Sequence, residues 1–191
     1  MPDTLKSESV QAPEGSHSLR QFADALPLIT SRRSTREFTD EPVSAEDTER
    51  LLVAAMAAPS GRDLRAWDFV LVTSEETRGQ LSKVHQYSAM AERAPLVVVV
   101  CGREVDSPHW VADCSAATEN LLLKAASLGL GGVWVGIYPM TEREARVRAI
   151  LEIPETIRVL CLLPVGHPAE PRPEPRIRFE PTHVHNERWG D

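Results

Sequence analysis

The chain has 191 residues, 42% hydrophobic and 26% charged, with a formal net charge of −7. That is ordinary globular material with enough length for a sizeable core. The negative balance argues against nucleic acid or an anionic membrane as a general partner, so any site for an anionic ligand must be a local basic cluster.

The first ten residues carry no apolar signal region, so secretion is not expected. Residues 1–18 are polar, contain Pro13 and Gly15, and read as a flexible tail. One domain is expected over 19–191, including a C-terminal extension from 164. Leu19 to Thr30 is patchily helical, with Pro27 opening its last piece. Arg32, Arg33, Ser34 and Arg36 follow, a concentration of cations in an acidic chain. Two readings stand even here: cations offsetting a helix C-terminus, or a phosphate clamp of guanidinium forks and a hydroxyl. Ser44 caps a helix whose inner face is Leu51, Leu52, Ala55 and Met56. The polar loop Pro59-Ser60-Gly61-Arg62-Asp63 leads to Trp67, an aromatic anchor for the strand Asp68–Thr73. Ser74 caps a helix through Val84, and Tyr87 to Arg93 is a short helical piece. Leu96 to Cys101 is an unbroken apolar run, a central strand buried on both faces.

Ser107 and Pro108 then open a long helix to Leu128, apolar on nearly all sides and hence buried, with Gly129 as its stop. The glycine-rich segment Gly131 to Gly136 lets a flat ligand approach the backbone. Thr141-x-x-Glu144 has the form of a capping box for a helix to Leu151. Arg158 to Leu163 is a second buried strand. From Pro164 to Pro181 the prolines, with Arg172 and Arg176 among them, exclude a central strand and describe an extended strap. Cys101 and Cys161 lie in predicted strands and Cys114 in the long helix, without CxxC spacing. They read as reduced core thiols of a cytoplasmic protein. His183 and His185 form an HxH pair with no third ligand in view, and no metal is expected. Gly129-x-Gly131 lacks the third glycine of a dinucleotide fingerprint and follows a helix rather than a strand.

RRSTR, PSGRDLRAWDF, DCSAATENLLLKAASLGLGGVWVGIYP and the arginine-bearing, proline-rich ending occur in this order. Together they resemble the FMN-dependent nitroreductase family. The resemblance implies an α+β nitroreductase-like fold: a central mixed sheet flanked by helices, in an interlocked homodimer whose C-terminal strap lies on the partner. It implies that Arg32, Arg33, Ser34 and Arg36 hold the FMN phosphate, ribityl chain and ring edge. Pro59, Ser60 and Gly61 would touch the flavin of the other subunit, and Val135 or Gly136 would offer a backbone N–H near flavin N5. Arg176, and less closely Arg172, would reach the phosphate. Asp63 stands where the family commonly has Asn, and Ala66 where it has Pro. An ionised Asp only accepts hydrogen bonds, whereas Asn also donates. The implied activity is ping-pong hydride transfer from NADH or NADPH through the flavin. The acceptor would be a small electron-poor molecule, a nitroaromatic, quinone or similar, and no side-chain acid or base is required. A flavin-binding protein without turnover, for storage or sensing, and a reductive dehalogenase are the alternatives.

Overall fold

Val97 to Val100 are all inaccessible to solvent, and the strand that carries them, β2 (Leu96–Gly102), is the centre of the sheet. The computed structural model describes residues 27–171 and 179–190. The expected tail over residues 1–18 and the arginines Arg172 and Arg176 lie outside the described residues. β2 pairs antiparallel with β1 (Trp67–Val72) on one side and β5 (Arg158–Gly166) on the other. Beyond β5 lie two short strands, β3 (Gly131–Gly132) and β4 (Val135–Gly136), both antiparallel to it. The parallel component of the mixed sheet is a bridge from Ser34 to Gly132.

Helices cover both faces. Alternation along β2 sends Leu96, Val98 and Val100 to one core and Val97, Val99 and Cys101 to the other. The first core lies under α2 (Ala45–Met56) and α4 (Trp110–Ser127). The second lies under α3 (Glu75–Leu81) and α5 (Thr141–Leu151). A short α1 (Pro27–Ser31) opens the described chain. The β2–β5 register slips at Leu160: Val100 pairs with Cys161 and Cys101 with Val159. This bulge frees the Leu160 carbonyl to accept the N–H groups of both Ile137 and Tyr138, at 3.0 and 3.1 Å, which steers the chain out of β4.

Several expectations need correction. Pro164 does not end β5; it pairs with Val97 inside it. In an antiparallel strand a residue's N–H and C=O point to the same side. The Pro164 carbonyl accepts from Val133 at 3.2 Å, so the missing N–H faces the gap between β3 and β4, where the ladder needs no donor. Ser107 does not cap α4, and Pro108 is not in it: the helix starts at Trp110, while the Ser107 hydroxyl accepts the His109 N–H. Thr141 and Glu144 do not form a capping box. α5 has no side-chain cap, and Glu144 is 1% exposed, turned inward to Arg158. Met56 is half exposed rather than on the inner face of α2. The helix after Ser74 ends at Leu81, and the piece near Tyr87 is one 3₁₀ turn, Ala89–Ala91.

Candidate functional site

The arginine segment runs across the end of the sheet. Thr35 donates its N–H to Gly132 at 3.0 Å, Thr39 to His167 at 2.9 Å, and the Glu37 carbonyl accepts from Ala169 at 3.0 Å. These bonds place Ser34, which is exposed, beside β3. Arg32 is tied to α4 by a 3.3 Å contact to Glu119. Arg33 donates to the carbonyls of Thr30 and Arg32, both at 2.7 Å, which caps the end of α1 and satisfies carbonyls a helix leaves open. Arg36 is exposed. Arg33 therefore serves the helix end, while Arg32 is partly exposed and Arg36 exposed on the stretch whose backbone is joined to Gly132 at Ser34 and Thr35.

That segment presents a bare backbone edge. Val133 and Val135 are 3% and 4% exposed and point into the core, whereas Trp134 between them is 37% exposed. A Cβ placed on Gly136 would meet nothing within 4 Å. An open edge beside a tryptophan, reached from the arginine segment through Ser34 and Gly132, suits a flat ring carrying a phosphate.

The Pro59–Asp63 loop is built differently. Asp113, in the first turn of α4 and 5% exposed, accepts the Gly61 N–H at 2.9 Å and the Ser107 hydroxyl at 3.3 Å. Any Cβ on Gly61 would sit 2.8 Å from the His109 ring. Beyond this anchor the backbone turns left-handed at Arg62, Asp63 and Arg65, with φ of 55°, 56° and 48°. Left-handed non-glycine residues are unfavourable and persist where surrounding contacts over-determine them. Those contacts are present. The Arg65 guanidinium forks both oxygens of Asp63 at 2.7 and 2.8 Å, and Ser60 Oγ accepts the Arg65 N–H. Arg103 donates to the Arg65 carbonyl at 2.9 Å while also holding Asp68 and Asp106. The hydrogen bond from Arg65, with its charge, holds the Asp63 carboxyl below the usual carboxylate range. Asp63 is thus ionised but internally paired.

Asp113 anchors the loop at the start of α4, and the glycine-rich segment, which begins past the end of that helix, runs back along β5 until Tyr138 packs edge-on against Trp110 in the first turn of α4, ring centroids 4.9 Å apart.

The Nitroreductase family model matches residues 29–87 and 80–167. The chain belongs to the nitroreductase family. This nitroreductase is 41% identical over 169 residues, 87% of its length and 88% of the other, to a Methanothermobacter thermautotrophicus protein. That protein carries the provisional name NADH dehydrogenase/NAD(P)H nitroreductase. A crystal structure of a Parabacteroides distasonis protein of the same provisional name superposes with a TM-score of 0.83 at 37% identity, covering 87% of this chain and 99% of that one. An FMN-dependent nitroreductase from Clostridium difficile superposes at 0.80 with 26% identity, covering 85% and 98%.

Asp113, Arg65, Arg103 and Trp134 escaped the sequence reading of this nitroreductase. Trp134 had a signal, a large aromatic between glycines. Asp113 had only an isolated acid near a helix start, and its partner Gly61 lies 52 residues away. The three thiols are buried and free, and burial pushes those of Cys101 and Cys114 up to about 12, so they have no nucleophilic part in this site. Among the described residues no cluster of His, Cys, Asp and Glu could hold a metal ion, and none of the described helices is long and apolar enough to cross a membrane.

Proposed function

We propose that this chain is an NAD(P)H-dependent FMN oxidoreductase that acts as a homodimer on small electron-poor acceptors, nitroaromatics or quinones, by a ping-pong mechanism. Bound FMN supplies the hydride and electron chemistry. Arg32, Ser34 and Arg36 hold its phosphate and ribityl end, and the Val135–Gly136 backbone lies against the ring near N5. Pro59, Ser60 and Gly61, with Asp63 and its partner Arg65, complete the site from the other subunit, and Arg172 and Arg176 add cations to the phosphate end. The chain's task is to hold and orient the ring and to keep water off it; no side chain is required to move a proton.

The observation that carries the flavin reading is the open backbone at Gly136, beside the exposed Trp134, in a segment that the arginine stretch joins at Ser34 and Gly132. Exposure of Ala112, with partial exposure of Ala116 and Leu123 beside it on the outer face of α4, supports a second copy on that face. Residues 19–191 then act as one domain, and three buried free thiols suit a reducing cytoplasm.

Anaerobic stopped-flow tests the reading. NADH or NADPH should bleach the bound flavin, a nitroaromatic or quinone should restore it, and steady-state double-reciprocal plots should be parallel. Flavin that stays oxidised with both donors would leave a binding protein without turnover. Intersecting plots would exclude ping-pong, and a monomer by light scattering would exclude the shared site.

A further inference from the structure

On the second-core side of the sheet, α5 is set against the turn that follows α3, and a cleft of ≈ 230 Å³ opens between them. Its lining is Val84, His85 and Gln86 from the turn, and Glu142, Arg143 and Arg146 from the start of α5. In a chain of net charge −7, a cleft with two guanidinium groups is unusual. The charges are unevenly committed. Arg146 is held by Glu142 at 2.9 Å, so that pair cancels. The described hydrogen bond of the Arg143 guanidinium is a long one, 3.4 Å, to the carbonyl of Gly136 in β4. One positive charge is left facing the cleft.

His85 adds a directed donor. Its Nδ1 accepts the Tyr87 N–H at 2.8 Å, so in the neutral imidazole the proton resides on Nε2. Burial, then the charge of Arg143, holds its pKa below the ordinary histidine value, which keeps it neutral near pH 7. The Gln86 amide brings further N–H donors, and buried Val84 gives an apolar floor. Donors thus come from two elements, a geometry that suits a tetrahedral group with three or more acceptor oxygens better than a planar carboxylate with two.

We propose that this cleft is a second ligand site, binding a small tetrahedral oxyanion of the phosphate type through Arg143, His85 and Gln86. Because Arg143 also reaches the Gly136 carbonyl, an anion in the cleft draws on the guanidinium that braces β4 from behind. Occupancy and that brace compete, which gives the site a route to the glycine-rich edge.

The test is calorimetric titration of inorganic phosphate into wild-type protein saturated with FMN, so that any flavin phosphate site is filled, with chloride holding ionic strength constant. Saturable binding in the millimolar range is expected. R143Q should abolish it. E142Q should tighten it about threefold, because removing the carboxylate frees Arg146 and removes a repulsive charge; exposed ion pairs of this kind are worth up to ~1 kcal/mol. Loss of structure would not produce that gain. The proposal is overturned if wild type fails to saturate, if R143Q binds as wild type does, if E142Q binds no tighter, or if acetate displaces phosphate at equal concentration.

Discussion

Replacing Asp113 by alanine tests whether the Pro59–Asp63 loop is held in shape by α4 rather than by its own sequence. The carboxylate accepts one backbone N–H, from Gly61 at 2.9 Å, and one hydroxyl, from Ser107. A buried charge-assisted hydrogen bond contributes about 1.5–3 kcal/mol. Against it stand three left-handed residues, Arg62, Asp63 and Arg65, each costing about 1–2 kcal/mol. The anchor and the stored strain are of similar size, so removing the anchor lets the loop relax. If the loop completes the FMN site of the other subunit, apparent affinity falls by the fraction of loop that keeps its native form. The expected loss is roughly 10- to 150-fold in FMN Kd, measured by flavin fluorescence titration of the apoprotein. D113N is the control: an amide oxygen still accepts from Gly61 and its NH₂ can donate to Ser107, so its Kd should stay within about fivefold of wild type. D113A binding FMN within twofold of wild type, with an unchanged dimer and Tm, would refute the argument; so would a D113N as damaged as D113A.

Other contacts give further expected outcomes. Because Arg65 already neutralises Asp63, D63N leaves an extra positive charge and R65Q an extra negative one. Flavin midpoint potentials should therefore rank R65Q below wild type below D63N; equal potentials in a spectroelectrochemical titration would remove the pair from the flavin's surroundings. R32A should weaken FMN binding about tenfold or more, the loss of one charge-assisted phosphate contact, whereas an unchanged Kd would assign Arg32 only to its bond with Glu119. W134A should raise the fluorescence of bound FMN if the indole stands against the ring, and an emission yield equal to wild type would put Trp134 elsewhere. E144A should destabilise by about 3 kcal/mol, because it leaves Arg158 without its buried partner, although Glu104 and the faces of Trp110 and Tyr138 remain. Burial raises the Glu144 pKa, but the Arg158 fork and the Val159 N–H outweigh it and the net shift is downward. A lowered folded pKa contributes stability that is fully present above the ordinary glutamate value, ~4.3, and lost as pH falls through the folded pKa. Denaturant midpoints from pH 7 to pH 3 should accordingly fall less steeply in E144Q than in wild type.

Much of the fold was legible in short windows of sequence. Ser44 and Ser74 cap α2 and α3 by accepting the N–H three residues on. Gly129, at φ 80°, follows the end of α4, and Leu96 to Cys101 is the central strand. These features depend on backbone groups within a turn or on the apolar character of a whole run, so local residues suffice to determine them. The family motifs likewise single out the Arg32–Arg36 stretch and the glycine-rich segment, and the structure bridges the two at Ser34 and Gly132. What tertiary structure alone decided were the choices between two partners that local sequence leaves equally available. Glu144 had the spacing of a cap but took Arg158, since a guanidinium fork offers a buried carboxylate more than one backbone N–H does. Pro164 looked like a strand-breaker until the gap between β3 and β4 removed the need for its N–H. Asp63 became paired rather than free because a left-handed backbone at Arg62, Asp63 and Arg65 folds Arg65 back onto it. Asp113 found Gly61 across 52 residues, a separation over which only the packing of α4 on the sheet, and no sequence pattern, sets the distance.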